Sequence, residues 1–277
     1  TKKNVEEHIK MMEMADKERV DITVFPELSV TGYTCQDLFF QQELLENAEQ
    51  GVRVITEKSK KLYGTYIVGC PVQFNGQLYN CGVVISKGEI LGIVPKTFLP
   101  NYNEFYEKRW FSSSTDLESY HGKLISHTFL DFAGYEDVSF GNMVFNNGYC
   151  TFGVEICEDL WTPAPPSAEL AMAGAHLLIN LSASDELTGK AHYRRELVKN
   201  QSARTLSAYL YADAGEGEST TDVVFAGHNL IVENGTILKE SKPFARDKDL
   251  VTEIDLGRLH NERRRMSTFL NSLCTES

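Results

Sequence analysis

The sequence predicts an α/β fold in which helices cover a sheet with both parallel and antiparallel strand pairs. Apolar, strand-like segments alternate with amphipathic helical segments along most of the 277 residues. Asn-Gly turns at 75–76 and 234–235 join neighbouring strands as hairpins, which indicates antiparallel pairing at those points. The apolar share of 42% is large enough to build a sizeable core.

The individual elements follow from periodicity and from Gly and Pro punctuation. Helical spacing of apolar residues predicts helices at 5–17, 37–60, 164–174 and 189–207, and a charged helical tail after residue 256. Short apolar segments predict strands at 20–25, 65–72, 78–86, 90–94, 149–156, 176–181, 209–214, 223–232, 236–239 and 250–254. Residues 100–120 are polar and aromatic without a period, so we interpret them as a long functional loop.

Charge and composition exclude several classes of protein. Lys and Arg number 27 and Asp and Glu number 39, so the net charge is 27 − 39 = −12. An acidic surface repels phosphate backbones, so we expect no nucleic-acid partner. No apolar stretch of about 18 residues occurs, so we expect no membrane span. Six cysteines without a CxxC pair or zinc-ligand spacing indicate a reduced, cytoplasmic protein with no metal site.

Three reactive side chains stand where predicted strands end. Glu27 and Lys96 each follow an apolar strand and a proline, and Cys157 ends a third strand. Taken one at a time, they have simpler explanations: an exposed turn glutamate, a solvated lysine and a buried, inert cysteine. Together they supply a thiol nucleophile, a base for its proton and a positive charge for the oxyanion of an amide substrate. A nearby ammonium would also favour the thiolate, because it lowers a cysteine pKa that is ordinarily about 8.5.

The sequence around these residues resembles the nitrilase superfamily of carbon–nitrogen hydrolases, block by block and in the same order. The blocks are FPEL at 25–28, TGY at 31–33, PK at 95–96, LP at 99–100 and EICED at 155–159. A finer pattern, which covers nearly the whole chain, resembles the glutaminase domains of glutamine-dependent NAD synthetases. It consists of LPNYNEFYEKR at 99–109, CEDLW at 157–161, NLSAS at 180–184, YRR at 193–195, QSAR at 201–204 and GEGESTTD at 215–222.

The resemblance implies a four-layer αββα sandwich and a glutaminase that works through a cysteine thioester. By position, Glu27, Lys96 and Cys157 match the family's triad of base, oxyanion stabiliser and nucleophile. Glu104 matches an additional glutamate that superfamily members often have near the lysine. The family's substrate-binding positions map to Tyr102, Phe105, Glu158, Ser184 and Arg194.

Glu158 suits a binding role because a carboxylate pairs with the α-ammonium group of glutamine. Its backbone N–H would also complete the oxyanion hole beside Lys96. Simpler explanations stay open at other positions. Tyr102 and Phe105 would equally serve to pack the loop onto the body of the protein, and Arg194 would equally serve as a helix-surface ion pair.

The resemblance also implies a longer protein. In the family, a synthetase domain binds ATP with magnesium and uses the ammonia to convert deamido-NAD to NAD. The Gly-Ser-rich phosphate loop of that domain is absent from these residues, and so is the apolar strand that opens the family fold. We therefore expect residues 1–277 to form a single amidase domain, without a cofactor of its own, cut from a homo-oligomeric enzyme in which it acts with the synthetase domain.

Two other functions stay open. A free-standing carbon–nitrogen hydrolase acting on another small amide would share the chemistry and differ in the pocket, since a glutaminase pairs both α-substituents of glutamine. A catalytically silent scaffold that docks a synthetase subunit is the third possibility. The intact set of Glu27, Lys96 and Cys157 argues against a scaffold, and labelling of one cysteine by a glutamine-like electrophile would exclude it.

Overall fold

The computed structural model describes residues 1–118, 127–245 and 249–271. Two six-stranded sheets pack face to face in this part of the chain, with helices on both outer sides. The helices are α1 (Lys2–Lys17), α2 (Gln42–Ser59), α3 (Thr115–Glu118), α4 (Pro166–Met172), α5 (Lys190–Thr205), α6 (Leu256–Arg265) and α7 (Ser267–Asn271). Short 3-10 helices span Tyr33–Phe40, Glu107–Arg109 and Cys157–Trp161.

The first sheet is built from the N-terminal half of the chain. Its strands are β1 (Ile22–Val24), β2 (Thr65–Phe74), β3 (Gln77–Ser86), β4 (Glu89–Pro95), β5 (Thr128–Phe132) and β6 (Tyr135–Phe140), in the order β1-β2-β3-β4-β6-β5. β1 is parallel to β2 and β4 is parallel to β6, whereas the other neighbours are antiparallel. Asn75 and Gly76 both have positive φ, as the predicted two-residue hairpin turn requires.

The second sheet is built from the C-terminal half. Its strands are β7 (Val144–Asn146), β8 (Thr151–Ile156), β9 (Leu177–Ser182), β10 (Ala208–Asp213), β11 (Leu230–Glu233) and β12 (Thr236–Glu240), in the order β12-β11-β10-β9-β8-β7. β8, β9 and β10 run parallel, and α4 and α5 make the two crossovers between them.

Three apolar clusters hold the layers together. One lies between α1, α2 and the first sheet, one lies between the two sheets, and one lies between the second sheet, α4 and α5. Strand β2 contributes to two of them, since Tyr66 and Val68 face the helices and Ile67 faces the second sheet. The four-layer αββα sandwich is therefore confirmed.

Two predicted elements are wrong in extent. The helix predicted at 37–60 divides at Gln41 into the 3-10 helix Tyr33–Phe40 and α2, and Gln36 breaks helical geometry with a φ of 50°. The strand predicted at 223–232 begins only at Leu230. The predicted loop at 100–120 contains a 3-10 helix and α3, and its last two residues lie outside the described ones.

Other differences concern strands. The strand predicted at 250–254 is wrong: this segment has no regular structure, although Ile254 packs against the inter-sheet cluster and so accounts for the apolar signal. Strands β5, β6 and β7 were not predicted. β5 and β7 lie at sheet edges, and β5 and β6 carry acidic residues on their exposed positions, which weakens an alternating apolar pattern.

Candidate active site

The three reactive residues meet between the facing sheets. Glu27 lies just beyond β1, Lys96 directly after β4 and Cys157 directly after β8. Lys96 Nζ donates a hydrogen bond to Glu27 Oε1 at 2.7 Å. The relative exposures of the three residues are 1%, 0% and 5%, respectively. Glu27 is therefore not an exposed turn glutamate, and Lys96 is not a solvated lysine. These two simpler explanations are wrong.

The turn that carries Glu27 packs directly on β2. At Gly69, a Cβ atom would lie 2.2 Å from the backbone nitrogen of Leu28 and 2.6 Å from the carbonyl oxygen of Pro26. Both contacts are far inside van der Waals distance, and both involve backbone that cannot move aside alone. A glycine at this position of β2 is therefore what allows the turn to approach the sheet.

Both carboxylate oxygens of Glu27 are held by donors. Oε1 accepts from Asn80 Nδ2 at 2.6 Å as well as from Lys96, and Oε2 accepts from the backbone N–H of Ala183 at 2.8 Å. The backbone N–H of Ala183 also lowers the pKa of the Cys157 thiol, against the larger effect of burial. Ala183, directly after β9, thus influences both the predicted base and the predicted nucleophile.

Lys96 is held by two carboxylates. Its Nζ donates to Glu107 Oε1 at 2.8 Å and to Oε2 at 2.9 Å, in addition to Glu27. Burial by itself would lower the pKa of Lys96, but the charges of Glu107 and Glu27 outweigh it and raise the pKa well above its ordinary value. The ammonium is therefore maintained. Burial raises the pKa of Glu107 to about 7, against the opposing effect of Lys96.

The glutamate beside the lysine is Glu107, and the prediction of Glu104 for this position is wrong. The 3-10 helix Glu107–Arg109 turns Glu107 inward, where it is 1% exposed. Glu104 instead lines a half-open cleft together with Tyr33, Trp110 and Asp222. The loop has no periodicity, so its sequence pattern could not distinguish the acid at 104 from the one at 107.

Cys157 adopts a backbone conformation that is rare for a residue with a side chain. Its φ is 44°, in the left-handed region, at the point where β8 turns into a 3-10 helix. Asn180 on β9 clamps this residue: its Oδ1 accepts from the N–H of Cys157 at 3.1 Å, and its Nδ2 donates to the carbonyl of Cys157 at 3.4 Å. Such local strain is typical of a residue held for function.

The surroundings of Cys157 favour the protonated thiol. Burial raises the pKa of Cys157 well above its ordinary value, the charge of Glu27 raises it further, and Lys96 only partly opposes these effects. Lys96 does favour the thiolate, as expected, but burial and the charge of Glu27 outweigh its effect on the pKa of Cys157. A protonated thiol needs a base at the moment of attack, and Glu27 lies beside it with its orientation fixed.

Three of the predicted binding residues lie together at the mouth of this centre. Tyr102 donates its hydroxyl to Glu158 Oε1 at 2.6 Å, and its ring packs edge-on against Phe105 with centroids 6.4 Å apart. Tyr102 is 52% exposed. The aromatic pair does pack the loop, and Tyr102 also contacts the carboxylate predicted to bind substrate.

Ser184 and Arg194 lie deeper. Arg194 is fully buried, and donates to Ser184 Oγ at 3.1 Å, Glu186 Oε2 at 3.0 Å and His228 Nδ1 at 3.0 Å. The explanation as a helix-surface ion pair is therefore wrong: Arg194 braces the segment that carries Ser184. Its role in binding substrate stays a prediction. Ser184 itself is 2% exposed and donates its N–H to Asp213.

A basic group that sequence reasoning missed lies at the mouth. The ammonium of Lys190, at the start of α5, lies 5.6 Å from the ring centre of Phe105 and 5.2 Å from that of Trp161. It also pairs with the buried carboxylate of Asp185. The mouth thus presents a positive group, Lys190, and a negative group, Glu158, on neighbouring parts of one rim.

Metal and membrane features are not apparent in the described part of the chain. Across residues 1–118, 127–245 and 249–271, no group of three or more His, Cys, Asp or Glu side chains is arranged to hold a metal ion. Within the same ranges no helix has the length and apolarity needed to cross a bilayer.

Comparison with known proteins decides the family. The sequence model of the carbon-nitrogen hydrolase family matches residues 1–264. This chain is a carbon–nitrogen hydrolase. It is 41% identical over 253 residues to the glutamine-dependent NAD(+) synthetase of Mycobacterium tuberculosis, an alignment that covers 90% of this chain and 36% of that relative.

Solved structures agree with this family. The hydrolase fold superposes on the crystal structure of a glutamine-dependent NAD(+) synthetase from Cytophaga hutchinsonii with a TM-score of 0.76 at 28% identity, covering 87% of this chain and 38% of that one. A carbon-nitrogen hydrolase from Helicobacter pylori shares the fold, with a TM-score of 0.72 at 21% identity over 98% and 89% of the two chains. The present chain thus spans little more than a third of the synthetases that it matches.

One further residue of the hydrolase centre lies in the EICED block, although the sequence indicated no role for it. Asp159, two residues after the nucleophile, accepts the backbone N–H groups of Thr97, Phe98 and Ile156 at 3.1, 2.7 and 2.9 Å. It therefore ties the segment after Lys96 to the end of β8. Burial raises its pKa to about 8. Two acids directly after a strand-end cysteine are a signal, but the sequence does not indicate that the second one turns inward.

Tyr33 is another residue whose contact with the centre was not predicted from the sequence. Its hydroxyl donates to Glu107 Oε1 at 2.8 Å, and its ring packs edge-on against Phe225. Burial and the charges of Glu107 and Glu27 raise the pKa of Tyr33 well above its ordinary value, so it stays a donor. The two residues are 74 positions apart in the chain, so local patterning could not predict their contact.

Proposed function

We propose that this carbon–nitrogen hydrolase converts glutamine to glutamate and ammonia through a thioester on Cys157. The observation that carries the proposal is the buried contact set of Glu27, Lys96 and Glu107 beside the buried thiol of Cys157, below a rim that bears charges of both signs. The relatives named as glutamine-dependent synthetases support the choice of glutamine over other amides.

The chemistry follows from the contacts. Glu27 accepts the thiol proton as Cys157 Sγ attacks the amide carbon, so that a C–S bond forms and the carbonyl oxygen gains the negative charge. Lys96 and the backbone N–H of Glu158 stabilise that oxyanion. When the C–N bond breaks, Glu27 returns the proton to the leaving ammonia. Water then attacks the thioester, with Glu27 again as base, and releases glutamate and the free thiol.

Substrate recognition uses the two charges on the rim. Free glutamine has an α-ammonium and an α-carboxylate, and Glu158 and Lys190 offer a partner of opposite sign to each. Phe105, Tyr102 and Trp161 flank the methylene chain. A simple aliphatic amide has neither charge and would leave Glu158 and Lys190 without substrate partners, which distinguishes the glutaminase from a hydrolase of other small amides.

For the whole protein, we propose that residues 1–277 form one amidase domain of a longer, homo-oligomeric synthetase. Ammonia released at Cys157 would serve the ATP-dependent amidation of deamido-NAD to NAD in a further domain that binds ATP and magnesium. The lengths of the relatives support this, because the matched part is little more than a third of each. We also propose that the enzyme is cytoplasmic, where its six cysteines would stay reduced.

The test is glutamate release by this chain from glutamine, without ATP, compared with the release of ammonia from a neutral aliphatic amide of similar length. We expect turnover of glutamine, much weaker turnover of the neutral amide, and no NAD from deamido-NAD and ATP. Equal turnover of both amides would favour the alternative hydrolase. No turnover of either amide by a folded chain, with no cysteine labelled, would favour the silent scaffold.

A further inference from the structure

A carboxylate from the far end of the sequence is bonded to the segment that follows the base. Glu218 Oε1 accepts from the N–H of Tyr33 at 2.9 Å, and Oε2 accepts from the N–H of Thr34 at 3.0 Å and from its hydroxyl at 2.6 Å. The residues lie about 185 positions apart in the chain. Both oxygens of Glu218 are thus used on two consecutive residues, as in a bidentate clamp.

The surrounding residues fasten the same two segments. We call residues 215–222 the strap. The N–H of Ser219 donates to Thr34 Oγ1 at 2.9 Å, and the strap ends at Asp222, whose carboxylate accepts from Gln36 Nε2 at 3.2 Å and from the hydroxyl of Tyr106. The strap therefore holds segment 33–36 at both of its ends.

Segment 33–36 depends on contacts from elsewhere in the chain to keep its conformation. It opens the 3-10 helix Tyr33–Phe40, so the N–H groups of Tyr33 and Thr34 have no acceptor within that helix. The preceding Gly32 has a φ of 96°, and Gln36 leaves helical geometry with a φ of 50°. A 3-10 helix this irregular needs an external acceptor, which Glu218 provides.

The clamped segment leads directly to the catalytic centre. The hydroxyl of Tyr33 donates to Glu107 Oε1 at 2.8 Å, and the same oxygen of Glu107 accepts from Lys96 Nζ at 2.8 Å. Lys96 in turn donates to Glu27. Tyr33 thus links Glu218, bonded at its backbone N–H, to Glu107 and Lys96, bonded through its hydroxyl.

We propose that Glu218 is a positioning residue for the hydrolysis: it fixes Tyr33, and through Tyr33 it keeps Glu107 and Lys96 aligned with the oxyanion. The proposal rests on the proposed glutaminase function. The hydrogen bonds of Glu218 go to Tyr33 and Thr34, and neither of these is a rim charge, so its loss should lower kcat and leave KM for glutamine nearly unchanged.

The experiment is a double-mutant cycle on this chain. Glu218→Gln keeps the size of the side chain but turns an NH2 group toward a backbone N–H, and Tyr33→Phe keeps the ring and removes the hydroxyl. Misalignment of a catalytic group typically costs up to about a hundredfold, so we expect each single variant to lose about ten- to a hundredfold in kcat. Because the two residues act along one path, the double variant should lose little more than either single variant.

Controls separate positioning from folding. Glu216→Gln removes an exposed carboxylate from the same strap and should retain the kcat of the parent chain. Rates are expressed per thiol titrated by a glutamine-like electrophile, so that unfolded molecules do not count. If kcat per titrated thiol is unchanged in Glu218→Gln, or if the losses multiply in the double variant, the proposal is overturned. If the parent chain itself fails to hydrolyse glutamine, the proposed function fails instead.

Discussion

The catalytic centre and the mouth of the pocket are built in opposite ways. In the centre, Glu27 and Lys96 are almost wholly buried, and Glu27 has a donor for each oxygen. At the mouth, Tyr102 is 52% exposed and lies on a loop. The centre is preorganised by strand ends that cannot move independently of the sheets, whereas the mouth is free to adapt to its ligand. Changes in the centre should therefore affect kcat, and changes at the mouth should affect KM.

The largest expected effect is on the nucleophile. Cys157→Ala should abolish glutamine hydrolysis and leave the fold intact, because a single thiol is removed from a site held by many other bonds. Cys150→Ala is a matched control, since Cys150 directly precedes β8 and Cys157 directly follows it. Glutamate release and circular dichroism measure the two properties. More than trace activity in Cys157→Ala would require another nucleophile.

The base should come next. Glu27→Gln keeps the shape of the side chain and removes its basicity, and loss of a general base typically costs about 10²–10⁴ in rate. We expect that loss in kcat, with KM changed little, because Glu27 lies below the rim. Lys96→Met should likewise lower kcat by loss of oxyanion stabilisation. An effect of Lys96→Met on KM alone would break the distinction between the centre and the mouth.

At the mouth the effects should be smaller, and they should change KM and not kcat. Glu158→Gln and Lys190→Met each remove one partner of glutamine's α-substituents, and we expect KM to rise about tenfold, equivalent to about 1.4 kcal/mol. Because Glu158 and Lys190 are proposed to contact different substituents of the α-carbon, we expect their effects to add. Steady-state kinetics with glutamine would check this. If kcat falls sharply while KM is unchanged, Glu158 and Lys190 take part in the chemical step and not in substrate binding.

A separate effect, on stability and not on turnover, is expected at Asp159. The pKa of Asp159 is raised from 3.8 to about 8, mainly by burial. The neutral form is therefore favoured by folding: its contribution is fully present below about pH 4 and is lost as the pH rises through about 8, by at most about 1.4 kcal/mol per pH unit.

Asp159→Asn removes this titration, so the free energy of unfolding should depend less on pH between about 4 and 8 than in the parent chain. Denaturant unfolding at a series of pH values measures it. Glu136→Gln removes an exposed acid and should leave the slope unchanged. An identical slope in parent and Asp159→Asn would show that Asp159 is ionised throughout.

The same division explains what could be predicted from sequence. Glu27, Lys96 and Cys157 each end a contiguous strand pattern, so their meeting between the sheets followed from where strands end. Glu107 occupies its position through a 3-10 helix within an aperiodic segment, and Lys190 lies beside the aromatic rings of Phe105 and Trp161, which come from other segments of the chain. A local sequence pattern does not indicate contacts between distant segments. For this reason Glu104 was predicted in place of Glu107.

The strands show the same limit. Strands β2 and β9 were predicted because they are buried on both faces, and such strands have a continuous run of apolar residues. The edge strands β5 and β7 left no such run. The segment at 250–254 has an apolar pattern without a strand, because packing against the inter-sheet core does not require a ladder of backbone hydrogen bonds.

One measurement tests the central claim most directly. This chain contains six cysteines, and a glutamine analogue with an electrophilic ketone in place of the amide should react with the catalytic one. Peptide mapping by mass spectrometry then identifies the modified residue. We predict one adduct per chain, on Cys157, with glutamine protecting against it and a neutral amide failing to protect. Labelling spread over Cys35 and Cys150, or no protection by glutamine, would contradict the assignment of this centre as a glutaminase.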